Sequence, residues 1–316
     1  MRKTTEHVIA AALTLVTLAG CGSDDIGPDA GTGKYHPDFT ATIGGAQTRA
    51  FDSSWEAGDE IGISGGIRTN VCYLTKEGDG RFTVKTPGDE IYFQDEEEVT
   101  FTAYYPWYNL AGEASAINAD TWAQARQKEF DFLWAQASGK KEAPEVAFTF
   151  AHRMAKVVLT VRPGNGVGYD DVKVALLSLE GFRYKGTFNI ADGSTSVDDA
   201  GTVMWEFAGN ENADYNAPAT FDDTEGTVTY ALIFFPQEFD NPLPFAAELP
   251  GGHILKAVMD FTAANREKDG ADAQNEWVAG RRYNLTVTLH KTGITLDNCT
   301  IMPWDEVNGG NIDAEQ

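Results

Sequence analysis

The sequence predicts an all-β protein made of antiparallel β-sandwiches, and three features of the 316-residue chain support this fold class. Apolar and polar residues alternate with period two in several segments, which is typical of strands that bury one face. Clusters of Gly, Asn and Asp separate these segments and predict turns. Hydrophobic residues make up 42% of the chain, enough to build a core, and the length suggests two domains.

The alternating segments define the predicted strands and their inward faces. The four clearest inward sets are Val99, Phe101, Ala103 and Tyr105; Val157, Leu159 and Val161; Val228, Tyr230, Leu232 and Phe234; and Tyr283, Leu285, Val287 and Leu289. Residues 120–137 have helical character instead, with Asp120 as a candidate N-cap. The apolar residues that would share one face of this helix are Trp122, Ala125 and Phe130.

A Trp-x-Ala-Gly motif occurs twice, beginning at Trp55 and at Trp277, and each copy comes directly before a predicted strand. The Gly permits a positive φ in a turn, and the Trp can cover the end of a sheet. We interpret the motif as a reused turn into a strand rather than as a tandem repeat. A polar stretch at residues 142–144 predicts a domain boundary.

The N-terminus predicts an exported protein with a lipid anchor. Two basic residues near the start are followed by the uncharged residues 8–18, a segment too short to span a bilayer. The following Leu-Ala-Gly-Cys resembles the lipobox of bacterial lipoproteins, in which the signal is cut between Gly20 and Cys21. The Cys21 thiol would then be acylated by chains such as palmitate, and several chains anchor stably. A plain signal peptide with a chance Cys is the alternative.

An acidic pair, Asp24 and Asp25, follows this Cys. It resembles the signal that exports lipoproteins to the outer face of the outer membrane in Gram-negative gut and oral bacteria. The alternative is an ordinary soluble tether. The expected location is therefore the surface of the cell outer membrane.

Charge and motif content exclude several classes of function. Asp and Glu number 48 against 24 Lys and Arg, a net charge of −24, which argues against nucleic acid and against anionic lipid headgroups as partners. Cys72 and Cys299 lack metal or redox spacing, so a single disulfide or two buried free thiols remain, and the sequence favours free thiols. His152 has no accompanying nucleophile motif and is predicted to be structural. We therefore expect no catalytic residues, no metal, no cofactor and no enzyme.

Several further motifs, taken with the lipobox, resemble the fimbrillin (Mfa-like) family, the subunits of type V pili of Bacteroidales-type bacteria. In chain order they are Thr48-Arg49-Ala50, the first Trp-x-Ala-Gly motif with the residues to Ile63, Ala103-Tyr104-Tyr105-Pro106, residues 150–157, the second Trp-x-Ala-Gly motif with the residues to Tyr283, and Ile301-Met302-Pro303-Trp304. The resemblance implies two tandem transthyretin-like antiparallel β-sandwich domains. With it, the chain divides into a lipoprotein signal peptide (1–20), a lipidated tether with a removable first strand (21–49), an N-terminal sandwich (50–144) and a C-terminal sandwich with a donor strand (145–316).

The resemblance also implies an assembly mechanism. An Arg-specific protease would cut between Arg49 and Ala50 and release a first strand whose inward residues are Phe39, Ala41 and Ile43. An extended strand donated by another pilus subunit would then fill the vacated groove. The natural donor segment in this chain would be residues 294–304.

The sequence therefore supports two functions of different classes. The first is a lipoprotein subunit of a fimbrium, structural or adhesive, assembled by protease-triggered strand exchange. The second is a monomeric, surface-anchored lipoprotein that binds a glycan or a host protein and never polymerises. An uncut Arg49 and a fixed first strand would favour the second.

Overall fold

The computed structural model describes residues 34–44, 54–110, 115–198, 204–209 and 217–304. The all-β prediction is confirmed, because strands connected by turns and loops make up most of these residues, with only short helices between them. No helix in the described ranges is long and apolar enough to cross a membrane.

The N-terminal part of the chain forms a closed barrel. The strands in this part of the chain are β1 (Asp38–Ile43), β2 (Glu60–Gly65), β3 (Arg68–Leu74), β4 (Arg81–Val84), β5 (Val99–Tyr105), β6 (Ala116–Asp120), β7 (Leu133–Gly139) and β8 (Glu145–His152). Seven of them close the barrel in the order β1-β4-β3-β2-β5-β7-β8, and β6 joins a separate sheet. β1 therefore completes the barrel between β4 and β8.

The C-terminal part forms layered sheets. Its elements are β9 (Ala155–Pro163), α1 (Tyr169–Lys173), β10 (Leu176–Leu179), β11 (Lys185–Asn189), β12 (Thr195–Val197), β13 (Trp205–Phe207), β14 (Ala219–Asp222), β15 (Thr227–Phe234), β16 (Gln237–Glu238), β17 (Leu243–Leu249), β18 (His253–Met259), α2 (Thr262–Asp269), β19 (Glu276–Trp277), β20 (Arg281–His290) and β21 (Gly293–Pro303). The main sheets run β14-β15-β9-β20-β21 and β13-β10-β17-β18, and smaller sheets run β12-β11-β6 and β16-β19.

Three clusters of buried residues form the cores. One fills the barrel and includes the inward residues of β1. A second lies within the C-terminal sheets. The third joins the two parts of the chain, because it contains Tyr104 and Phe132 from the first part and Phe188, Ile233 and Trp304 from the second. The two parts are thus joined by a shared apolar core as well as by the chain.

The four sets of alternating residues lie on strands β5, β9, β15 and β20, as predicted. All of their inward side chains are buried except Val99 and Tyr105, which are partly buried. Most pairs of described strands are antiparallel, and the exceptions are the parallel pairs β1–β8 and β9–β20.

The helix predicted over residues 120–137 is wrong. This segment contains only a short 3₁₀ helix, Gln124–Glu129, and then the first residues of β7. The buried residue of the 3₁₀ helix is polar: the Gln124 Nε2 donates to the Ile233 carbonyl at 2.7 Å, and its Oε1 accepts from the Ile233 N–H at 2.8 Å. The segment is thus attached to β15 by the Gln124 amide. A longer helix would instead need a buried apolar face.

Strand pairing also shows where the chain leaves the barrel. The sequence assigns residues 145–152 to the C-terminal domain, whereas β8, which spans these residues, pairs with β1 and β7 of the barrel. The next strand, β9, pairs with β15 and β20. The change of sheet therefore falls at residues 153–154.

Candidate functional site

Strand β1 lies in a groove of the barrel between two partner strands. All of its residues are in parallel register with β8, and Phe39 and Thr40 are also in antiparallel register with β4. Two further backbone bonds fasten its ends: the Asp38 N–H donates to the Pro144 carbonyl at 2.9 Å, and the Gly44 N–H donates to the Phe150 carbonyl at 2.8 Å. The groove thus holds an extended segment mainly through its main chain.

Phe39 fills the first pocket of the groove. Its ring meets Tyr73 and Phe101 edge-on, with centroids 5.0 and 5.2 Å away, and stacks on Phe148 at 5.8 Å. The side chain is 1% exposed. Burying a Phe contributes about 1.5–3 kcal/mol, and aromatic pairs add about 0.5–1.5 kcal/mol each. This pocket supplies most of the side-chain attachment of β1.

Ala41 occupies the centre of the groove, where the barrel contacts both polar groups of its main chain. The Trp55 Nε1 donates to the Ala41 carbonyl at 2.8 Å, and the Ala41 N–H donates to the Gly80 carbonyl at 2.8 Å. Gly80 has a φ of +80°, and a Cβ there would lie 2.4 Å from the Ala41 carbonyl oxygen. Only glycine therefore permits this approach of the two backbones.

Ile43 ends the strand at the edge of a cleft of about 580 Å³. Trp55, Tyr105 and Leu133 line the same cleft, together with the carboxylates Glu56, Asp59, Glu129 and Asp131. Burial raises the pKa of the Asp59 carboxyl, although hydrogen bonds from the Glu56 N–H and the Tyr105 hydroxyl oppose the shift. The cleft combines an apolar wall with charged groups, because Lys128 and Arg126 also line it and pair with Glu56 and Glu129, respectively.

Several residues predicted from the sequence lie outside the described ranges: Gly20, Cys21, Arg49 and Ala50. Phe39, Ala41 and Ile43 lie on β1, and all three side chains are buried. That this strand can be removed stays a prediction.

The segment predicted to be a donor, residues 294–304, is part of a long hairpin. β21 pairs with β20 along nearly its whole length and forms the edge of its sheet. The Trp304 ring that follows stacks on His152 of β8, with centroids 4.0 Å apart and planes at 6°. The backbone N–H of Trp304 donates to the Gly280 carbonyl at 3.0 Å. These residues are engaged within their own chain.

His152 has the surroundings of a structural histidine. Its Nδ1 lies 2.9 Å from the Asp131 carboxylate, and its side chain is 1% exposed. Among the described residues, no group of three or more His, Cys, Asp or Glu side chains is arranged to hold a metal ion. Cys72 and Cys299 are free thiols, and burial raises the pKa of each to about 12, so both stay protonated at neutral pH.

Sequence reasoning identified the inward residues of β1 but missed the residues that hold its centre. From sequence, Trp55 is part of a turn motif, and Gly80 belongs to one of the Gly- and Asp-containing clusters that predict turns. Nothing local in either segment indicates that both contact Ala41. The recurrence of Trp-x-Ala-Gly predicts a turn at each copy, but it does not indicate which residue the indole N–H contacts.

The turn itself has the same form in both copies of the motif. The Asp59 N–H donates to the Glu56 carbonyl at 3.1 Å, and the Arg281 N–H donates to the Val278 carbonyl at 3.3 Å. The two indoles differ, since Trp55 donates to β1, whereas the buried Trp277 Nε1 has no hydrogen-bond partner within the described residues. The first copy has acquired a contact with a separate strand.

Comparison with known proteins places these features in a family. Residues 48–304 match the family described as fimbrillin-like. A Bacteroides uniformis protein described as a fimbrium subunit, Fim1C, is 28% identical, covering 96% of this chain and 97% of its own. A solved structure from Bacteroides uniformis, described as a cell adhesion protein, is 25% identical with a TM-score of 0.66, and the match covers 85% of this chain and 98% of that one.

A second solved structure, also described as a cell adhesion protein, comes from Bacteroides ovatus. It shares the fold with a TM-score of 0.66 at 23% identity, over 87% of this chain and 99% of its own. With its barrel, its layered C-terminal sheets and a family match over most of its length, this chain belongs to the fimbrillin-like family of fimbrial and cell adhesion subunits.

Proposed function

We propose that this chain is a surface-exposed lipoprotein subunit of a fimbrium that assembles by strand exchange. Acylated Cys21 anchors it in lipid of the outer membrane, cleavage between Arg49 and Ala50 frees β1, and a strand from another pilus subunit takes its place. The chain acts as a structural or adhesive subunit and not as an enzyme. Any host or glycan receptor would be bound by the assembled fimbrium.

The observation that supports exchange most directly is the position of β1. It completes the barrel between β4 and β8, its three inward side chains are buried in the barrel core, and its nearest neighbour in sequence, β2, is not its partner. The described residues that flank the predicted cut are Gly44 and Ser54. After a cut, only non-covalent contacts would hold the strand.

Loss of β1 would create a strong demand for a replacement. Its departure would expose the rings around Phe39 and leave main-chain groups of β4 and β8 without partners. Apolar burial is worth about 25 cal/mol per Å², and an unpaired strand edge pairs readily with another chain. Both losses are recovered by a strand from another subunit, which is the mode of recognition known as β-augmentation.

The test treats the mature protein with an Arg-specific protease and follows intact mass and unboiled denaturing gels. We expect one early cut after Arg49 followed by a ladder of detergent-resistant oligomers. Arg49→Lys should abolish both the cut and the ladder while preserving the charge. Arg81→Lys on β4, where the residue is exposed, is the matched control and should change neither.

Two other outcomes would revise the proposal. Cleavage at Arg49 without a ladder would indicate an accessory or tip subunit whose own end does not act as a donor. Resistance at Arg49 with a persistent monomer would overturn exchange, and the anchored, monomeric binding protein would then be the better description.

A further inference from the structure

The side chain that contacts the centre of β1 belongs to neither of its partner strands, β4 and β8. Trp55 precedes β2, so it stays with the body of the protein after a cut at Arg49. Its ring packs edge-on against Phe82 and Phe150, with centroids 5.1 and 5.3 Å away, and against Tyr105 at 5.6 Å. These contacts fix the direction of the indole N–H independently of what lies in the groove.

That N–H needs an acceptor from the occupant of the groove. Trp55 is buried, and its Nε1 donates to the carbonyl of Ala41. If β1 left, a buried donor would lose its partner, which is unfavourable. A new strand restores the bond only if it presents a carbonyl at the same point. A shift of one residue would lose this acceptor and a shift of two would restore it, so the indole selects which face of the incoming strand turns inward.

The barrel core restricts the size of the central side chain, because Ala41 is buried in it and its main chain is held close to Gly80 and Trp55. The position of a Cβ on Gly80 lies 2.4 Å from the Ala41 oxygen and 3.5 Å from the Trp55 Cδ1. β1, the turn before β4 and the indole are thus in close contact around Ala41. Large residues occupy both neighbouring inward positions, Phe39 and Ile43. Because protein cores are close-packed, a larger central side chain would displace one of these groups.

We infer that Trp55 and Gly80 hold the main chain at the centre of this groove, that the core around Ala41 requires a large–small–large pattern at the three inward positions, and that the two together fix the register of any strand bound there. This inference rests on the proposed strand exchange. The partner it selects is an extended segment with a small residue such as Ala or Gly between two large apolar residues at alternate positions.

The end of this chain does not have that pattern. The small residues within residues 294–316 are Cys299, Gly309, Gly310 and Ala314. Each has a polar or charged residue two positions away on at least one side: Asp297, Asn311, Asn308 and Gln316, respectively. A strand from residues 294–316 would therefore enter the groove with a polar side chain at one inward position, and we expect it to bind more weakly than β1.

The test measures strand exchange in the full mature chain, with a site for a sequence-specific protease placed within residues 45–49. After cleavage, a labelled peptide of residues 35–44 replaces the resident strand, and fluorescence anisotropy reports its affinity. We expect Ala41→Leu in the peptide to weaken binding at least tenfold. The exposed Thr42→Leu is the matched control and should change it little. These peptide variants leave the protein unaltered, so they cannot be confused with misfolding.

Protein variants test the indole itself. Trp55→Phe keeps a ring but removes the donor, and we expect it to weaken the native peptide about tenfold. Trp277→Phe, in the second copy of the motif, should leave peptide affinity unchanged. Circular dichroism of both variants confirms that they are folded.

The outcomes separate this inference from the proposed function. Failure of the native peptide to bind the cut protein would overturn strand exchange and the inference with it. Binding of the native and Ala41→Leu peptides with equal affinity would overturn the inference alone. A peptide of residues 294–316 that bound as tightly as the native strand would overturn the large–small–large requirement.

Discussion

Strands β1 and β9 have similar neighbours but very different attachments. Each begins its part of the molecule and lies between one antiparallel and one parallel partner, β4 and β8 for β1, and β15 and β20 for β9. β9 pairs over residues 155–161 with one neighbour and over 156–163 with the other. β1 has only Phe39 and Thr40 in register with β4.

The difference agrees with the proposed exchange, in which β9 stays in place and β1 is replaced. β9 follows β8 after two residues and forms the middle of a five-stranded sheet, so its removal would divide the core of the C-terminal part. β1 pairs with β4 and β8 and not with β2, the next strand in sequence. It contributes three inward side chains to the barrel core. In the proposed exchange, the few and non-local attachments of β1 are what would allow its replacement.

The largest expected effect contrasts Phe39 with Leu159 on β9. In the uncut chain, either substitution by Ala should lower the free energy of unfolding, by about 3–5 kcal/mol for Phe39 and about 2–5 kcal/mol for Leu159. In a chain cut after Arg49, an excess of the native strand peptide should recover the loss at Phe39, whereas a peptide of residues 155–163 should not recover the loss at Leu159. Urea denaturation measures both.

The control for this prediction is Thr42→Ala, which alters an exposed residue of β1 and should change stability by less than about 0.5 kcal/mol. Recovery of Leu159→Ala by the added peptide would remove the distinction between the two strands.

An intermediate effect is expected at the close approach behind β1. Gly80→Ala places a Cβ against the Ala41 carbonyl and should lower the free energy of unfolding by about 2–4 kcal/mol, measured by thermal or urea denaturation. Gly88 has a comparable φ of +99° with nothing within 4 Å of the added Cβ, so Gly88→Ala should cost only about 1 kcal/mol of backbone strain. Equal losses of stability in Gly80→Ala and Gly88→Ala would show that backbone strain, and not the contact with Ala41, determines the effect.

The smallest effect is a pH dependence of opposite sign at the two copies of the turn motif. Burial raises the pKa of Asp59 above 3.8, so the folded state binds its proton more tightly and this contribution to stability declines as pH rises through the raised pKa. Directly after the second copy, Arg281 lowers the pKa of Asp269, the last residue of α2, from 3.8, so that contribution is present above 3.8 and is lost as pH falls through the lowered pKa.

Urea midpoints of Asp59→Asn and Asp269→Asn between pH 3 and 7 check these signs. Relative to the unsubstituted protein, Asp59→Asn should remove a decline with rising pH, and Asp269→Asn should remove a rise. Parallel pH profiles for the two variants would contradict the opposite shifts.

Local pattern was sufficient to predict the all-β class and four of the main strands, whereas the inward residues of β1 came from the resemblance to the fimbrillin family. Local pattern failed at residues 120–137 because the buried side-chain amide of Gln124 determines the structure of that segment. Gln124 bonds the main chain of Ile233, and no scale of apolar periodicity registers such a contact. The same limitation explains why the role of Trp55 was missed.

Sheet membership could not be predicted either. The alternation in β8 is clear from the sequence, but its assignment depends on the parallel register of Asp38 with Glu145 and of Ile43 with Phe150. Pairs so distant in sequence are set by the packing of the whole barrel and leave no mark on the neighbouring residues.

The stacking of Trp304 on His152 has a mechanical consequence. A fibre transmits tension through each subunit, and a pull on the chain beyond Trp304 would reach the barrel directly through these rings, without passing along the short link at residues 153–154. The hydrogen bond from the backbone N–H of Trp304 to the Gly280 carbonyl would transfer part of the load to the C-terminal sheet. The subunit would therefore resist stretching as one body, with its two parts loaded in parallel.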